Sequence, residues 1–441
     1  MTVNIELVAR SIAERLQARG HIAYYAGGCV RDSLLGKTPV DYDIATSALP
    51  EEVQAIFART VAVGAQFGVI VVVEQGIEFQ VASFRSDGIY IDGRRPKTVT
   101  YSTPQQDAER RDFTINGMFF DPVKGELIDF VNGRADLSAG ILRAIGNPAD
   151  RFQEDRLRLL RAVRFAATLC FEIEEKTWQA LRDNATEINA VSAERIREEL
   201  SRIFLSPNRV RGFDLLDESG LMKAVLPEIS ALKGCNQPPQ FHPEGDVFTH
   251  TRIMLGLLPQ EVSVSLVFSV LLHDIGKPAT YSYDEAEGRI RFSGHDKLGA
   301  EMTKRIMERL KFSREEIDAT VEAVGQHMVF KDVQKMRVSR LKRFMSRPHF
   351  EDELALHKVD CESSHGALDN YDFLLRKKEE FSHEPLIPPP LVRGGDLLGM
   401  GWKPGPIIGQ ILEAVQTRQL EGALSSREEA MEWVKSEFKP A

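Results

Sequence analysis

The stretch Val40–Ala45, VDYDIA, sets Asp41 and Asp43 inside an otherwise strand-like run. Strand side chains alternate between faces, so Tyr42 and Ile44 can enter a core while both aspartates share the opposite side. Two carboxylates on one face repel each other, and the pair needs water at a sheet edge or a cation to hold. Just upstream, YAGGCVRDSLLG runs a strand into Gly27 and Gly28 and then starts a helix. Glycines there let the backbone approach a ligand, the helix start offers N–H groups to anions, and Arg31 adds charge. Donors for phosphate beside carboxylates for Mg²⁺ are the ingredients of a metal–phosphate site.

Two further segments add polar groups. ERRDFTIN crowds Arg110, Arg111, Asp112, Thr114 and Asn116 around one loop-to-strand junction. EDRLRLLRAVRFA, read as a single helix, sets Asp155, Arg158, Arg161 and Arg164 on a drifting polar stripe beside Leu157, Leu160, Val163 and Ala166. An arginine that donates beside an aspartate that accepts can read a base edge. Cytosine and adenine both offer a ring-nitrogen acceptor next to an amino donor, whereas uracil and guanine reverse the pattern. Asp155 with Arg158 could therefore accept C and A and reject U and G, at roughly 1–3 kcal/mol per bidentate contact.

A different chemistry occupies the second half. Of the histidines, only His21 precedes His242. In LLHDIGKP, His273 and Asp274 follow the apolar run VSVSLVFSVLL, which should bury that helix. His250, His295, His327 and Asp360 complete an ordered set of imidazole and carboxylate ligands that does not choose among Mn²⁺, Ni²⁺, Fe and Mg²⁺. His242, His349, His357, His365 and His383 receive no role. The order of the set resembles the HD metal-dependent phosphohydrolase domain, which implies hydrolysis of phosphomonoesters or 2′,3′-cyclic phosphates.

The elements that must position these groups change along the chain. Residues 4–19 have helical spacing and stop at Gly20; from His21 to about Val131 short strand-like runs alternate with helices, an α+β unit around a small mixed sheet. Beyond Asn147 the pattern is mostly helical, and FSHEPLIPPPLVRGG marks a boundary before a last helical segment. At 441 residues with net charge −9, the chain is too long for one core, and non-specific nucleic-acid binding through a general basic excess is disfavoured. The local basic run ERIREELSRIFLSPNRVRG remains available to RNA phosphates. No apolar run approaches the roughly 20 residues that span a bilayer, the start lacks the pattern of a secretion signal, and the four cysteines form no C-x-x-C pair. The expectation is a cytoplasmic protein without a membrane partner.

Taken in order, GGCVRD, VDYDIAT, RRDFTIN, EDRLRLLRAVRFA and SAERIREEL resemble the class II tRNA nucleotidyltransferase and poly(A) polymerase family, the bacterial CCA-adding enzymes and their relatives. The resemblance implies a polymerase β-like catalytic head at 1–145, a helical neck at 146–235, an HD domain at 236–380 and a tRNA-binding tail at 385–441. It implies Mg²⁺ on Asp41 and Asp43, and triphosphate on Gly27, Gly28 and Arg31. Arg111, Asp112 and Asn116 fall to the incoming nucleotide, Asp155 and Arg158 to base selection, and Arg161 and Arg164 to the phosphates or pocket. The expected partners are the tRNA 3′ end, CTP and ATP. A-adding enzymes and poly(A) polymerases share the pattern, and a phosphohydrolase with an RNA-binding first half is the reading from another class. Gln80 departs from the family at a position often acidic. The charged segment Arg85–Ser102 suits a mobile loop and corresponds to the family region that switches specificity from C to A.

Overall fold

The computed structural model describes residues 4–62, 68–87, 99–240, 242–383 and 385–439. It separates into two units, Met1–Ser230 with Arg309–Lys311, and Ala231–Glu308 with Phe312–Ala441.

In the first unit the strands are β1 (Ala23–Ala26), β2 (Asp43–Thr46), β3 (Thr60–Val61), β4 (Val69–Glu74), β5 (Ile77–Ser83), β6 (Arg85–Asp87), β7 (Val99–Tyr101), β8 (Phe119–Asp121) and β9 (Glu126–Ile128). Seven of them form one mixed sheet in the order β3-β4-β5-β2-β1-β8-β9. β2 is its pivot, antiparallel to β1 with Ala26 opposite Asp43, and parallel to β5 with Ile44 opposite Val81. The β4–β5 hairpin closes through Gln75 and Gly76, both at positive φ, the backbone that a two-residue hairpin turn requires. Helix Ile5–Ala18 turns Val8, Ala9, Ile12, Ala13 and Leu16 into the core, close to the bounds expected from its spacing. Segment Arg85–Ser102, expected as a loop, instead begins and ends in a ladder: β6 pairs antiparallel with β7. Residues 88–98 of that segment lie outside the described residues.

The polar helix expected over Glu154–Ala166 is also broken. Helix Pro148–Glu154 ends at Asp155, whose backbone is extended (φ −137°, ψ 102°), and a second helix runs from Arg158 to Leu169. The Asp155 carboxylate accepts from the Leu157 amide at 3.1 Å, a local bond that competes with helix continuation.

The second unit is helical apart from the hairpin Ser282–Asp284/Arg289–Arg291. Helix Val264–Leu272 is buried from Leu266 onward, as its unbroken apolar run requires, and delivers His273 and Asp274 into the interior. Helix Phe350–Ser363 brings Asp360 alongside. The tail helices Gly394–Gly399, Pro406–Leu420 and Arg427–Glu437 pack a core of their own around Trp402, Ile411, Val415 and Val434. Among the described residues no helix is long and apolar enough to cross a membrane.

Gly276 is fixed by close approach: a Cβ there would stand 2.3 Å from the His295 carbonyl oxygen and 2.9 Å from the Gly299 amide. Gly276→Ala should therefore force apart the segments that carry Asp274 and His295, destabilising the unit by about 1–3 kcal/mol. Urea unfolding followed by far-UV circular dichroism measures the loss, and an unchanged midpoint would refute the packing argument.

Candidate active sites

β1 runs into Gly27, whose φ of +73° lets the chain turn into helix Gly28–Leu34, and β2 starts at Asp43 beside it. The alternation read from VDYDIA is present, with Tyr42 and Ile44 buried and Asp41 and Asp43 exposed. Both carboxylates open into a cavity of about 460 Å³. Its lining also includes Gly27, Gly28, Arg31, Arg111, Asp112, Asn116, Asp155, Arg158, Arg161 and Arg164, so every first-half site residue named from the sequence meets here. Arg110, Phe165 and Arg202 complete it. Protein crowded around the cavity mouth strips water from the Asp43 carboxyl, and this desolvation, followed by the neighbouring Asp41 charge, pushes it above its usual range, while Arg111 acts in the opposite direction. Gln80, exposed on β5, lies one residue before the Val81 that pairs with Ile44.

Asp112 organises the floor. It accepts from the Phe113 amide (2.8 Å), the Asn116 amide nitrogen (3.1 Å) and the Arg161 guanidinium (2.8 and 2.5 Å). Asn116 in turn accepts from Arg31 at 2.6 Å. Burial alone would raise the Asp112 carboxyl, but Arg161 and Asn116 hold it well below the ordinary range. Phe165 is the apolar counterpart, with the guanidinium carbons of Arg31, Arg161 and Arg164 lying 5.1, 5.2 and 4.0 Å from its ring centroid. Such contacts fix the planes of groups that would otherwise sample many rotamers.

Asp155 and Arg158 line the same cavity but are held by different partners. Asp155 receives both ends of the Arg195 guanidinium, at 3.1 and 2.8 Å. Arg158 is buried and donates to Glu154 (2.7 Å) and to the carbonyls of Arg151 (3.0 Å) and Arg110 (2.9 Å). Sequence reasoning gave Arg195 no individual role, although SAERIREEL contains it. It also passed over Asp107, buried at 1% exposure, which binds Arg110 and Arg111 together. An aspartate three and four residues before two arginines is the signal that could have exposed it.

In the second unit His250, His273, Asp274, His295, His327 and Asp360 converge. His273, His295 and His327 each face a carbonyl three residues back through Nδ1, those of Val270 (2.9 Å), Phe292 (2.7 Å) and Val324 (2.6 Å). A carbonyl only accepts, so these Nδ1 atoms carry hydrogen and the Nε2 atoms turn inward. The Nε2 atoms of His295 and His327 lie 3.2 Å apart, and Asp274 Oδ1 is 3.4 and 3.9 Å from them. Burial lowers His295 and takes His327 down to about 4, so both rings are neutral near pH 7 and two lone pairs face each other. His273 Nε2 and Asp274 Oδ1 are buried without a hydrogen-bond partner. Facing lone pairs and an unpartnered carboxylate oxygen fit divalent cations. His250 reaches Asp360 through Nε2 (3.1 Å), and although burial opposes protonation, bonds to Asp360 and Glu244 raise it to about 9. Lys277, beside Asp274 at 2.6 Å, helps hold that carboxylate well below its usual range against the cost of burial.

His242 and Glu244 were not singled out for this centre, yet Glu244 bonds both His242 (2.9 Å) and His250 (2.7 Å). The only cue in the sequence is HPEG shortly before DVFTH. His357, by contrast, stacks on Phe330 with ring centroids 4.8 Å apart.

Residues 23–143 match the family described as Poly A polymerase head domain, 170–233 a probable RNA-binding site of polymerase A, and 247–356 the HD domain. A CCA-adding enzyme of Streptococcus gordonii is 43% identical over 222 residues, 50% of this chain and 55% of that protein. One from Lactiplantibacillus plantarum is 41% identical over 238 residues, so the matched chain spans little more than half the length of these two relatives (55% and 58%). A CCA-adding enzyme of Streptococcus thermophilus is 30% identical over 429 residues, 96% of this chain and 94% of the relative. Among solved structures, the Bacillus stearothermophilus CCA-adding enzyme in complex with CTP superimposes with a TM-score of 0.75 at 26% identity, over 99% of each chain. On the near full-length relationship above all, the chain belongs to the CCA-adding enzyme family of tRNA nucleotidyltransferases.

Proposed function

We propose that the protein adds C, C and A to the 3′ end of tRNA from CTP and ATP without a nucleic-acid template, in the cytoplasm. The reading rests on one observation: a single cavity holds a same-face pair of aspartates beside Gly27, Gly28 and Arg31, and an aspartate with an arginine able to address a base edge. The division into a head at 1–145, a neck at 146–235, an HD domain at 236–380 and a tail at 385–441 is part of the same proposal.

Asp41 and Asp43 would hold Mg²⁺, which when bound supplies activation of the primer 3′-hydroxyl and neutralises charge on the departing pyrophosphate. Arg31, braced by Asn116, faces the triphosphate, and Arg161 and Arg164 stand across the Phe165 ring. Arg158 donates to N3 of cytosine or N1 of adenine, and Asp155 accepts from the adjacent amino group. Uracil and guanine would set donor against donor and acceptor against acceptor, leaving buried groups unpaired. Because Asp155 already bonds Arg195 through both oxygens, Arg195 sets the direction of its remaining lone pairs. The HD centre is proposed to hydrolyse phosphomonoesters or 2′,3′-cyclic phosphates with divalent metal; its convergent Nε2 atoms support that second activity.

Extension of three tRNA transcripts, ending before CCA, after CC and after CCA, with each NTP singly and with CTP plus ATP, tests the reading on gels. C-C-A on the first and nothing on the third is expected. Addition of A to the second alone would make the protein an A-adding enzyme, and untemplated A tails on all three a poly(A) polymerase.

Joint replacement Asp41→Ala and Asp43→Ala should reduce nucleotide addition to below about one thousandth of the parent rate. Hydrolysis by the HD centre should persist, and retained addition would remove the aspartates from the mechanism.

Arg158→Ala should relax base choice more than it slows turnover. Arg195→Ala should weaken discrimination against UTP about tenfold, as expected for a loss near 1.4 kcal/mol, while kcat for CTP changes less. Single-nucleotide kinetics measure both, and equal losses for all four nucleotides would remove the selection role.

A further inference from the structure

Three of the four histidines at the HD centre take their tautomer from the backbone. His273 and His327 terminate helices Val264–Leu272 and Arg314–Gln326, and His295 opens helix His295–Arg309, so each lies at a helix end with a carbonyl available three residues earlier. His250 lies inside helix Val247–Leu257, where the carbonyl three residues earlier, that of Val247, is taken by the Thr251 hydroxyl at 2.9 Å. Helical side chains lean toward the N-terminus, which carries the His250 ring over the residues preceding its own helix. Glu244 waits there, with Oε1 2.7 Å from His250 Nδ1.

The other neighbours of that nitrogen agree. Ser363 Oγ lies 3.3 Å from His250 Nδ1 and spends its own hydrogen on the Asp360 carbonyl at 2.9 Å, so toward the ring it can only accept. His242 Nδ1 holds the same Glu244 oxygen from the far side at 2.9 Å. The Glu244 side chain is 6% exposed and that of His250 is 0% exposed, so neither bond is exchanged for water.

We propose that Glu244 is a positioning residue for the HD metal centre, holding His250 as the Nδ1–H tautomer so that Nε2 is directed at the metal beside Asp360. This rests on the reading of the centre as a metal site. The carboxylate does for His250 what main-chain carbonyls do for the other three rings, and its charge also makes the ring a stronger donor to a cation.

The experiment uses as its parent the full chain carrying Asp41→Ala and Asp43→Ala, which remove the proposed cation site of the head, and Mn²⁺ alone as the probe. Affinity and stoichiometry are measured by equilibrium dialysis and elemental analysis for the parent, Glu244→Gln and Glu244→Leu, together with nitrogen-detected histidine tautomer spectra of the metal-free proteins recorded above the pH at which the His250 ring becomes neutral. Glu244→Leu should weaken Mn²⁺ binding by about 10–100-fold and shift His250 toward Nε2–H. Glu244→Gln, which keeps an acceptor oxygen but no charge, should restore part of the affinity and the parent tautomer. If Glu244→Leu does not fold, the near-isosteric Gln variant decides, with binding weaker than the parent by more than twofold expected. Affinities within twofold of the parent for each folded variant would overturn the inference. So would loss of a whole metal equivalent that Gln cannot restore, because Glu244 would then be a ligand. A parent protein that binds no Mn²⁺ would instead overturn the reading of the centre as a metal site.

Discussion

The first unit's site hangs on one buried carboxylate. Asp112 has no freedom to serve solvent: its oxygens are taken by its following amide, by Asn116 and by two nitrogens of Arg161. Through Asn116 it fixes Arg31 on the helix after Gly28, and through Arg161 it fixes the helix Arg158–Leu169. An ionised aspartate at this depth is tolerated only because so many donors converge, drawn from the adjoining turn through Asn116 and from Arg161 far along the chain, with Arg31 joined to them through Asn116. The fold can therefore assemble the cavity only as a unit, since leaving any segment out strands a charge.

The HD centre obeys the same rule with less charge. Four imidazoles must all present Nε2, and a free imidazole has no such preference. Placing His273 and His327 at helix C-termini lets leftover carbonyls make the choice at no cost in additional side chains, and at His295 the turn carbonyl of Phe292 serves both the main-chain amide and the ring. The residue following the buried helix Val264–Leu272 illustrates how a mostly apolar run can position polar groups: the helix buries its length, and His273 and Asp274 emerge buried, where electrostatic attraction is strong.

Much of this was legible in the residues themselves. Alternation in VDYDIA put both aspartates on one side, the glycine pair announced a strand-to-helix turn, and the apolar run before His273 announced burial. What failed depended on competition or distance. The break at Asp155 came from a side chain bonding the Leu157 amide, which helical spacing alone does not weigh. The pairing of β6 with β7 was hidden because each strand is only three residues long and Arg85-Ser86-Asp87 is charged and polar. Arg195 and Glu244 escaped because their partners are chosen by three-dimensional proximity; Arg195 finds Asp155 across 40 residues, and Glu244 touches His250 only once the helix has fixed the ring.

Charge balance explains why a chain of net charge −9 can gather so many arginines around one cavity. Arg31 pairs with Asp32, Arg110 and Arg111 with Asp107, Arg158 with Glu154, Arg161 with Asp112, and Arg164 with Glu199. Each of these six cations is held by an anion, with Arg110 and Arg111 sharing Asp107, so the cluster does not repel itself apart and its side chains lose little further entropy when a ligand arrives. Among the described residues, Asp41 and Asp43 make no such ion pair. The asymmetry assigns the work: paired arginines provide oriented donors of nearly neutral total charge, whereas two unpaired carboxylates leave a local negative field beside them. A polyanion alone would be repelled by that field, and a polyanion carrying divalent cations would be drawn into it.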